Sequence, residues 1–184
     1  MSTPAFPQVS PVDGTHVTLG RYFRTPAHPD VLVALGRAQY TFLSLEETVT
    51  AILYEAGVAT LPETRGKMAG DKEQALQKLA ARYRQHPDGA LTAELLDTAV
   101  AAFRKARELV RNKLSHAHPY TAGKDTDGNY LPGLGYTVKD GTSWETLSST
   151  PEDLLDFAAE VEMSISPLNA ARMAVRDLPV SKLV

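Results

Sequence analysis

Apolar residues recur at three- and four-residue steps along three long stretches of the chain, which is the spacing of amphipathic helices. The first stretch begins at Pro29 or Asp30 and ends at Gly57. The second covers "DKEQALQKLAARYRQH" and ends at Pro87, and the third follows it and stops before Pro119. Proline ends a helix because it lacks a backbone N–H and clashes with the preceding turn. The pattern therefore predicts three long helices.

A further helix is predicted at "STPEDLLDFAAEVEMSI" by its start signals. Thr150 is suited to the N-cap, and Pro151 to the first helical position. Pro167 is expected to kink or split this helix, and Ser166 can cap a separate one that runs to about Leu178. The chain thus carries four or five helices.

Two segments lack the helical periodicity. Prolines at positions 4, 7, 11 and 26 exclude a long helix from residues 1–28, which we expect to form a proline-rich arm. Within residues 121–147, "TAGKDTDGNYLPGLG" is expected to be a surface loop, and "YTVKDGTSWETL" a β-hairpin with Asp140 and Gly141 in its turn. The sequence therefore predicts an all-α fold over residues 29–178, a bundle of four to five helices with a small inserted β-hairpin.

Composition narrows the functions open to this chain. The absence of cysteine excludes disulfides, thiolate zinc sites and cysteine nucleophiles, and it fits a reducing compartment. No run of about 18 or more apolar residues and no leader-like start is present, so we expect a cytoplasmic protein without a membrane span. "DTDGN" lacks the glycine position and the distal glutamate of a calcium loop, and the histidines lack metal-ligand spacing. We therefore expect no metal and no cofactor.

The run "ELVRNKLSHAHPYTAG" at the end of the third helix carries the candidate chemistry. Arg111 offers a planar, permanently charged fork that matches a phosphate, and His116 can exchange a proton near neutral pH. Asn112 can hold a histidine tautomer or bind a nucleotide. Because RNA supplies its own nucleophile, the 2′-hydroxyl, this set suits metal-independent attack on a phosphodiester. The alternative is a structural one, since cations collect at helix C-termini to complement the dipole.

Helical phase sorts the residues of this run. Val110 and Leu114 face the core, so the polar residues have a packed support. Asn112 and His116 share one face, whereas Arg111 and His116 lie roughly 140° apart on an ideal α-helix. The reach of arginine and unwinding before the next proline are needed to bring those two side chains to one groove.

The segment "RNKLSH", Arg111 to His116, resembles the R-N-x-x-x-H signature of the HEPN superfamily, the higher eukaryote and prokaryote nucleotide-binding domains. HEPN domains are helical bundles that carry this motif late in a long helix, and many are metal-independent endoribonucleases of toxin–antitoxin and phage-defence systems. The resemblance implies that Arg111 holds the scissile phosphate, His116 is the acid–base group and Asn112 positions His116 or the RNA. It implies products with a 2′,3′-cyclic phosphate and a 5′-hydroxyl end. It also implies RNA as partner, a homodimer with a composite site, and a possible antitoxin or defence-system protein.

Three further residues are candidates for substrate binding: Arg107, Lys113 and His118. The first two make the helix end locally basic in a chain of formal net charge -3, although an ordinary solvated face would have the same pattern. His118 stands where one HEPN subgroup has a tyrosine, and a solvated loop residue is its structural interpretation. The alternative function is a catalytically inactive HEPN-like module for nucleotide binding or protein interaction. A third interpretation is a helical scaffold unrelated to HEPN.

Overall fold

The computed structural model describes residues 28–140 and 142–179, and within them it describes no side chain at positions 111, 112, 122 and 138–140. The proline-rich arm predicted for residues 1–28 therefore lies, apart from its last residue, outside the described chain. The described part has five long helices, one short helix and three strands. In chain order these are α1 (Pro29–Glu55), α2 (Leu61–Arg65), α3 (Ala69–Arg84), α4 (Ala90–Arg107), a π-helical turn (Glu108–Leu114), β1 (His118–Lys124), β2 (Tyr130–Asp140), β3 (Ser143–Ser149), α5 (Pro151–Glu162) and α6 (Ile165–Asp177).

The long helices form the bundle that their apolar periodicity predicts. α1 packs along α5 and α6, while α4 packs against α3 on one side and α6 on the other. The rings of Phe42 and Phe103 stack between α1 and α4 with their centroids 5.9 Å apart. The largest side chains with less than 2% of their surface exposed come from α1, α3, α4, α5, α6 and the π-helical turn: Leu45, Val49, Ile52, Leu53, Leu76, Leu79, Tyr83, Leu96, Phe103, Val110, Leu154 and Leu168.

Most predicted helix boundaries are confirmed. α1 begins at Pro29 and ends just before Gly57, whose φ of 68° is a conformation that glycine adopts easily. Thr150 caps α5 in a capping box, because its hydroxyl accepts from the N–H of Asp153 and its own N–H donates to the Asp153 carboxylate. The predicted division near Pro167 occurs, but it lies between Glu162 and Ile165, and the N-cap is Ser164 rather than Ser166.

The all-α fold class is wrong. A three-stranded antiparallel sheet in the order β1-β2-β3 occupies the region after the π-helical turn, so the fold is mixed helical and β. The predicted hairpin exists as β2 and β3, but a third strand, β1, pairs with β2. The end of β1 at Lys124 and the start of β2 at Tyr130 both lie within residues 121–135, where we expected a surface loop. Glycine and proline in "TAGKDTDGNYLPGLG" argue against strands locally, and pairing with a neighbouring strand overrides that preference.

The segment "DTDGN" forms the turn that joins β1 to β2. The Asp125 carboxylate accepts from the N–H groups of Asp127 and Asn129 through Oδ1, at 2.9 and 2.8 Å. Hydrogen bonds from the Asn129 side chain and backbone hold the pKa of Asp125 below its usual range. The carboxylate therefore closes the turn.

The sheet is attached to the bundle through β2. Leu134 and Tyr136 on this strand are 7% and 6% exposed, and β2 contacts both α1 and the π-helical turn. The sheet therefore begins and packs directly beside the candidate motif. Among the described residues, no helix combines the length and the apolar composition needed to cross a membrane.

Candidate functional site

The candidate motif lies on the π-helical turn Glu108–Leu114, hereafter the π turn. Hydrogen bonds of a π-helix join residues five apart instead of four, so positions five apart lie closer around the axis than they do in an α-helix. Arg111 lies within the π turn and His116 lies two residues beyond its end, so the roughly 140° that an ideal α-helix gives the pair does not apply to this segment. Single π-helical turns occur frequently at functional sites.

The π turn has the packed support that its sequence predicts. Val110 and Leu114 are 1% and 5% exposed and belong to the main core. Arg111 and Asn112 have their backbone on this turn, and their side chains lie outside what the structure describes. The backbone that carries both residues is therefore anchored through Val110 and Leu114.

His116 and His118 follow the π turn, and both side chains are exposed. His118 is the first residue of β1 and pairs in register with Gly135 of β2. Its imidazole meets the ring of Tyr120 edge to face, with centroids 6.2 Å apart and an interplanar angle of 88°. Both histidines therefore face solvent, and His118 has a defined orientation on the sheet.

Arg107 is held by a buried carboxylate on α3. Glu73 is 7% exposed, and its Oε2 accepts from Arg107 Nε at 3.1 Å. Its Oε1 accepts from Arg104 Nε at 2.7 Å, a hydrogen bond that raises the pKa of Arg104 above its ordinary value. Two of the cations that make this helix end basic are therefore paired within the protein.

Lys113 is half-buried between two aromatic rings. Its Nζ lies 5.2 Å from the ring centroid of Phe157 on α5 and 5.9 Å from that of Tyr136 on β2. Cation–π contacts at this distance attract an ammonium to the ring faces. Lys113 therefore links the π turn to both the sheet and the bundle.

A pocket of about 300 Å³ lies on one side of the π turn, between α1 and the start of α3. Three cations line it, Arg65, Lys67 and Lys72, together with Glu46 and Ser115, and we call it the basic pocket. Ser115 is the residue immediately before His116. The predicted catalytic residue His116 is therefore the next residue in the chain after one that lines a charged pocket.

A second pocket of about 560 Å³ lies on the other side, between the start of α1 and strands β1 and β2. Its walls are largely apolar and aromatic, and we call it the sheet pocket. Val31, Leu35, Ala117, Tyr120 and Tyr130 are among its lining residues. Ser115 lines the basic pocket and Ala117 lines the sheet pocket, so His116 separates the two linings along the chain, and its own side chain belongs to neither lining.

Sequence reasoning missed the charged residues at the start of α3, Lys72 and Glu73, and those in the segment before it, Arg65 and Lys67. Glu73 and Lys72 fall three and four residues before the buried Leu76, so helical phase places both on the apolar face of α3. A charged residue on an apolar face requires a partner, and that signal was available in the sequence. Among the described residues, no three histidine, aspartate or glutamate side chains are grouped so that they could hold a metal ion.

Three comparisons with known proteins were made, with protein-family models, with curated proteins and with solved structures. None of them gives a match.

Proposed function

We propose that this chain is a metal-independent endoribonuclease of the HEPN type, in which His116 is the acid–base group. One observation carries the proposal: the exposed His116 follows a π turn anchored in the core, and its chain neighbours Ser115 and Ala117 line a basic pocket and an apolar pocket. A strand of RNA presents phosphates and bases in alternation along its length. The two pockets, which are lined by the residues immediately before and after His116, match these two chemistries.

The proposed reaction is transesterification within the RNA. The 2′-oxygen attacks the adjacent phosphorus, and the bond from phosphorus to the 5′-oxygen breaks, which leaves a 2′,3′-cyclic phosphate and a 5′-hydroxyl end. One imidazole accepts the proton of the 2′-hydroxyl, and one imidazolium protonates the departing 5′-oxygen. Arg111 stabilises the charge that develops on the phosphate, and Asn112 positions His116 or the RNA.

A homodimer suits this proton balance. Two copies of His116 facing one cleft would supply the acid and the base at the same phosphodiester. The HEPN resemblance implies such a composite site, and we propose it for this chain together with a cytoplasmic setting and an antitoxin or defence-system partner. Size measurement in solution tests the dimer: an active, strictly monomeric protein would oppose it.

Arg107 and Lys113 have intramolecular partners in this structure, which changes the part we propose for them. Arg107 is paired with Glu73, and Lys113 lies between the rings of Tyr136 and Phe157. We propose that they position the π turn and that any contact of theirs with RNA is secondary. His118 is exposed on β1 beside the sheet pocket and stays a candidate contact for RNA.

The decisive experiment is cleavage of mixed RNA in EDTA with mapped ends. The wild type is expected to produce cyclic phosphate and 5′-hydroxyl ends, and His116→Ala and Arg111→Ala should each abolish cleavage while the circular dichroism spectrum is unchanged. His86→Ala is a matched control, because His86 lies before the opposite end of α4, roughly 35 Å away along a continuous helix. Arg176→Ala, an exposed arginine on α6, is the control for Arg111.

The inactive HEPN-like module remains the second candidate, because two of the basic residues at the helix end are already paired within the protein. Its outcome in the same experiment is different. RNA bound by the wild type and left intact, with binding weakened by Arg111→Ala, would favour the module over the nuclease. RNA neither bound nor cleaved would remove both.

A further inference from the structure

Lys72 is a buried cation that the proposed reaction does not use. It lies in the first turn of α3, is 6% exposed, and lines the basic pocket. The nearest carboxylate oxygen, Glu46 Oε1, is 3.8 Å from its Nζ, which is longer than a hydrogen bond. Burial of an ammonium is costly unless hydrogen bonds replace its lost water. Among the described residues no side-chain nitrogen is both fully buried and without a hydrogen bond, so the Lys72 Nζ still reaches the solvent of the pocket, where a ligand could accept from it.

The rest of the basic pocket adds positive charge. Arg65 donates to Glu47 Oε1 at 2.6 Å. Lys67 forms no salt bridge among the described residues, although its charge acts on the carboxylate of Glu63. Three cations, Arg65, Lys67 and Lys72, and one carboxylate, Glu46, line the pocket. Glu47 and Glu63 interact with Arg65 and Lys67 from outside the lining. The N-terminal end of α3, the positive end of its dipole, is part of the same wall, because Ala69 lines the pocket.

We propose that the basic pocket binds a phosphate group of RNA that neighbours the phosphodiester at His116, with Lys72 and Lys67 as its main ligands. This inference rests on the proposed endoribonuclease function, because Ser115 of the pocket wall directly precedes His116. A pocket of about 300 Å³ is at the lower limit of small-molecule sites, which suits a phosphate with part of a ribose better than a complete nucleoside triphosphate.

Glu46 makes the proposal testable in both directions. Its carboxylate faces Lys72 and competes with an incoming phosphate for the ammonium. Removal of the carboxylate charge should therefore strengthen RNA binding, whereas removal of either lysine charge should weaken it. A merely structural role for Lys72 predicts no gain in RNA affinity from Glu46→Gln.

The experiment measures the affinity of the full chain for a fluorescent single-stranded RNA with 2′-fluoro riboses, which cannot undergo 2′-oxygen attack. We expect Lys67→Gln and Lys72→Gln each to weaken binding on the order of threefold to tenfold and to reduce the slope of log affinity against log salt by about 0.7. Glu46→Gln should tighten binding by a similar factor. Lys78→Gln, an exposed lysine on the same helix, should change neither quantity.

Unchanged affinity and unchanged salt slope in Lys67→Gln and Glu46→Gln would overturn the proposal, even if Lys72→Gln failed to fold. Inorganic phosphate is the second probe. One outcome is that phosphate binds the wild type and fails to bind Lys72→Gln while both proteins bind RNA with the same affinity. In that case the pocket is a small-anion site and the RNA assignment is wrong. Cleavage of unmodified RNA by the wild type separates the two proposals. If the wild type cleaves RNA and the charge variants bind it with unchanged affinity, only the pocket assignment is wrong. If the charge variants change RNA affinity and the wild type does not cleave, only the nuclease assignment is wrong.

Discussion

The imidazole of His118 lies directly over the bare Cα of Gly135. A Cβ added at Gly135 would be 2.9 Å from His118 Nε2, closer than side chains approach in folded proteins. The two residues are register partners on β1 and β2. His118 is two residues after His116 in the sequence. Gly135 therefore gives the second histidine of the motif its position on the sheet.

Gly135→Ala should displace His118 without unfolding the protein. The obstructing atoms are the far end of the His118 ring and Cγ of Tyr120, at 3.1 Å, and both side chains are exposed and can shift. We therefore expect a loss of about 1 kcal/mol in the free energy of unfolding. The measurements are urea unfolding and the NMR signals of the His118 ring. Gly36→Ala is the control with the opposite sign, because that exposed helical glycine has open space around it and alanine should stabilise the helix by up to about 1 kcal/mol.

If His118 contacts RNA, Gly135→Ala and His118→Ala should lower cleavage by similar factors, and the double variant should be no worse than either. Additive losses would show that Gly135 acts on cleavage by another route.

Lys113→Met should destabilise the attachment of the sheet to the bundle. The ammonium loses its attraction to Tyr136 and Phe157, so we expect a loss of about 0.5–2 kcal/mol in the free energy of unfolding. Lys124→Met, which removes a cation from the exposed Tyr130 ring, should cost less. Unfolding in urea is the measurement. Unchanged stability with a reduced salt dependence of RNA binding would instead assign Lys113 to the substrate.

Glu73→Gln should release Arg104 and Arg107 at the helix end. The free energy of unfolding should fall, because both arginines lose a charged acceptor, and RNA affinity should rise as their charges become available. Asp97→Asn, which breaks the exposed pair with Arg84, should change stability less and RNA affinity not at all. Reduced stability with no gain in RNA affinity would limit Glu73 to a structural part.

Comparison of the wild type with Tyr83→Phe should show that the contribution of the Tyr83 hydroxyl to the free energy of unfolding decreases at alkaline pH. Tyr83 is buried, its hydroxyl donates to the Leu178 carbonyl at 2.6 Å, and burial raises its pKa above the ordinary value near 10. We expect Tyr83→Phe to lose about 1 kcal/mol at neutral pH.

The sign of this pH dependence follows from proton binding. Above the unfolded pKa the unfolded chain loses the phenol proton while the folded chain keeps it, so the contribution of Tyr83 is complete below about pH 10 and declines above it. The difference between wild type and Tyr83→Phe, measured by urea unfolding from pH 8 to 11, should therefore shrink. Tyr40→Phe, at an exposed position, should follow the wild type. A constant difference across this range would contradict the assignment.

The long helices and most of their limits were determined by the sequence itself, although the start of α6 was not. Their hydrogen bonds join residues four apart, and their signals are equally local: the apolar periodicity, Pro29 at the start of α1, and the capping residue Thr150. The same helical periodicity predicted that Val110 and Leu114 anchor the motif in the core, and both residues are buried. Helical phase also placed Glu73 on an apolar face, although it could not name the arginines that pair with it.

The sheet, the π turn and the two pockets were decided by tertiary structure. β1 forms in a segment with unfavourable local preference because β2 supplies its hydrogen-bond partners, and strand pairing is non-local. The π winding at Glu108–Leu114 replaces the α-helical turn that the apolar periodicity predicts for this segment. The sequence proposed which residues could perform chemistry, and the packing of α1, α3 and the sheet around the π turn determined what surrounds His116.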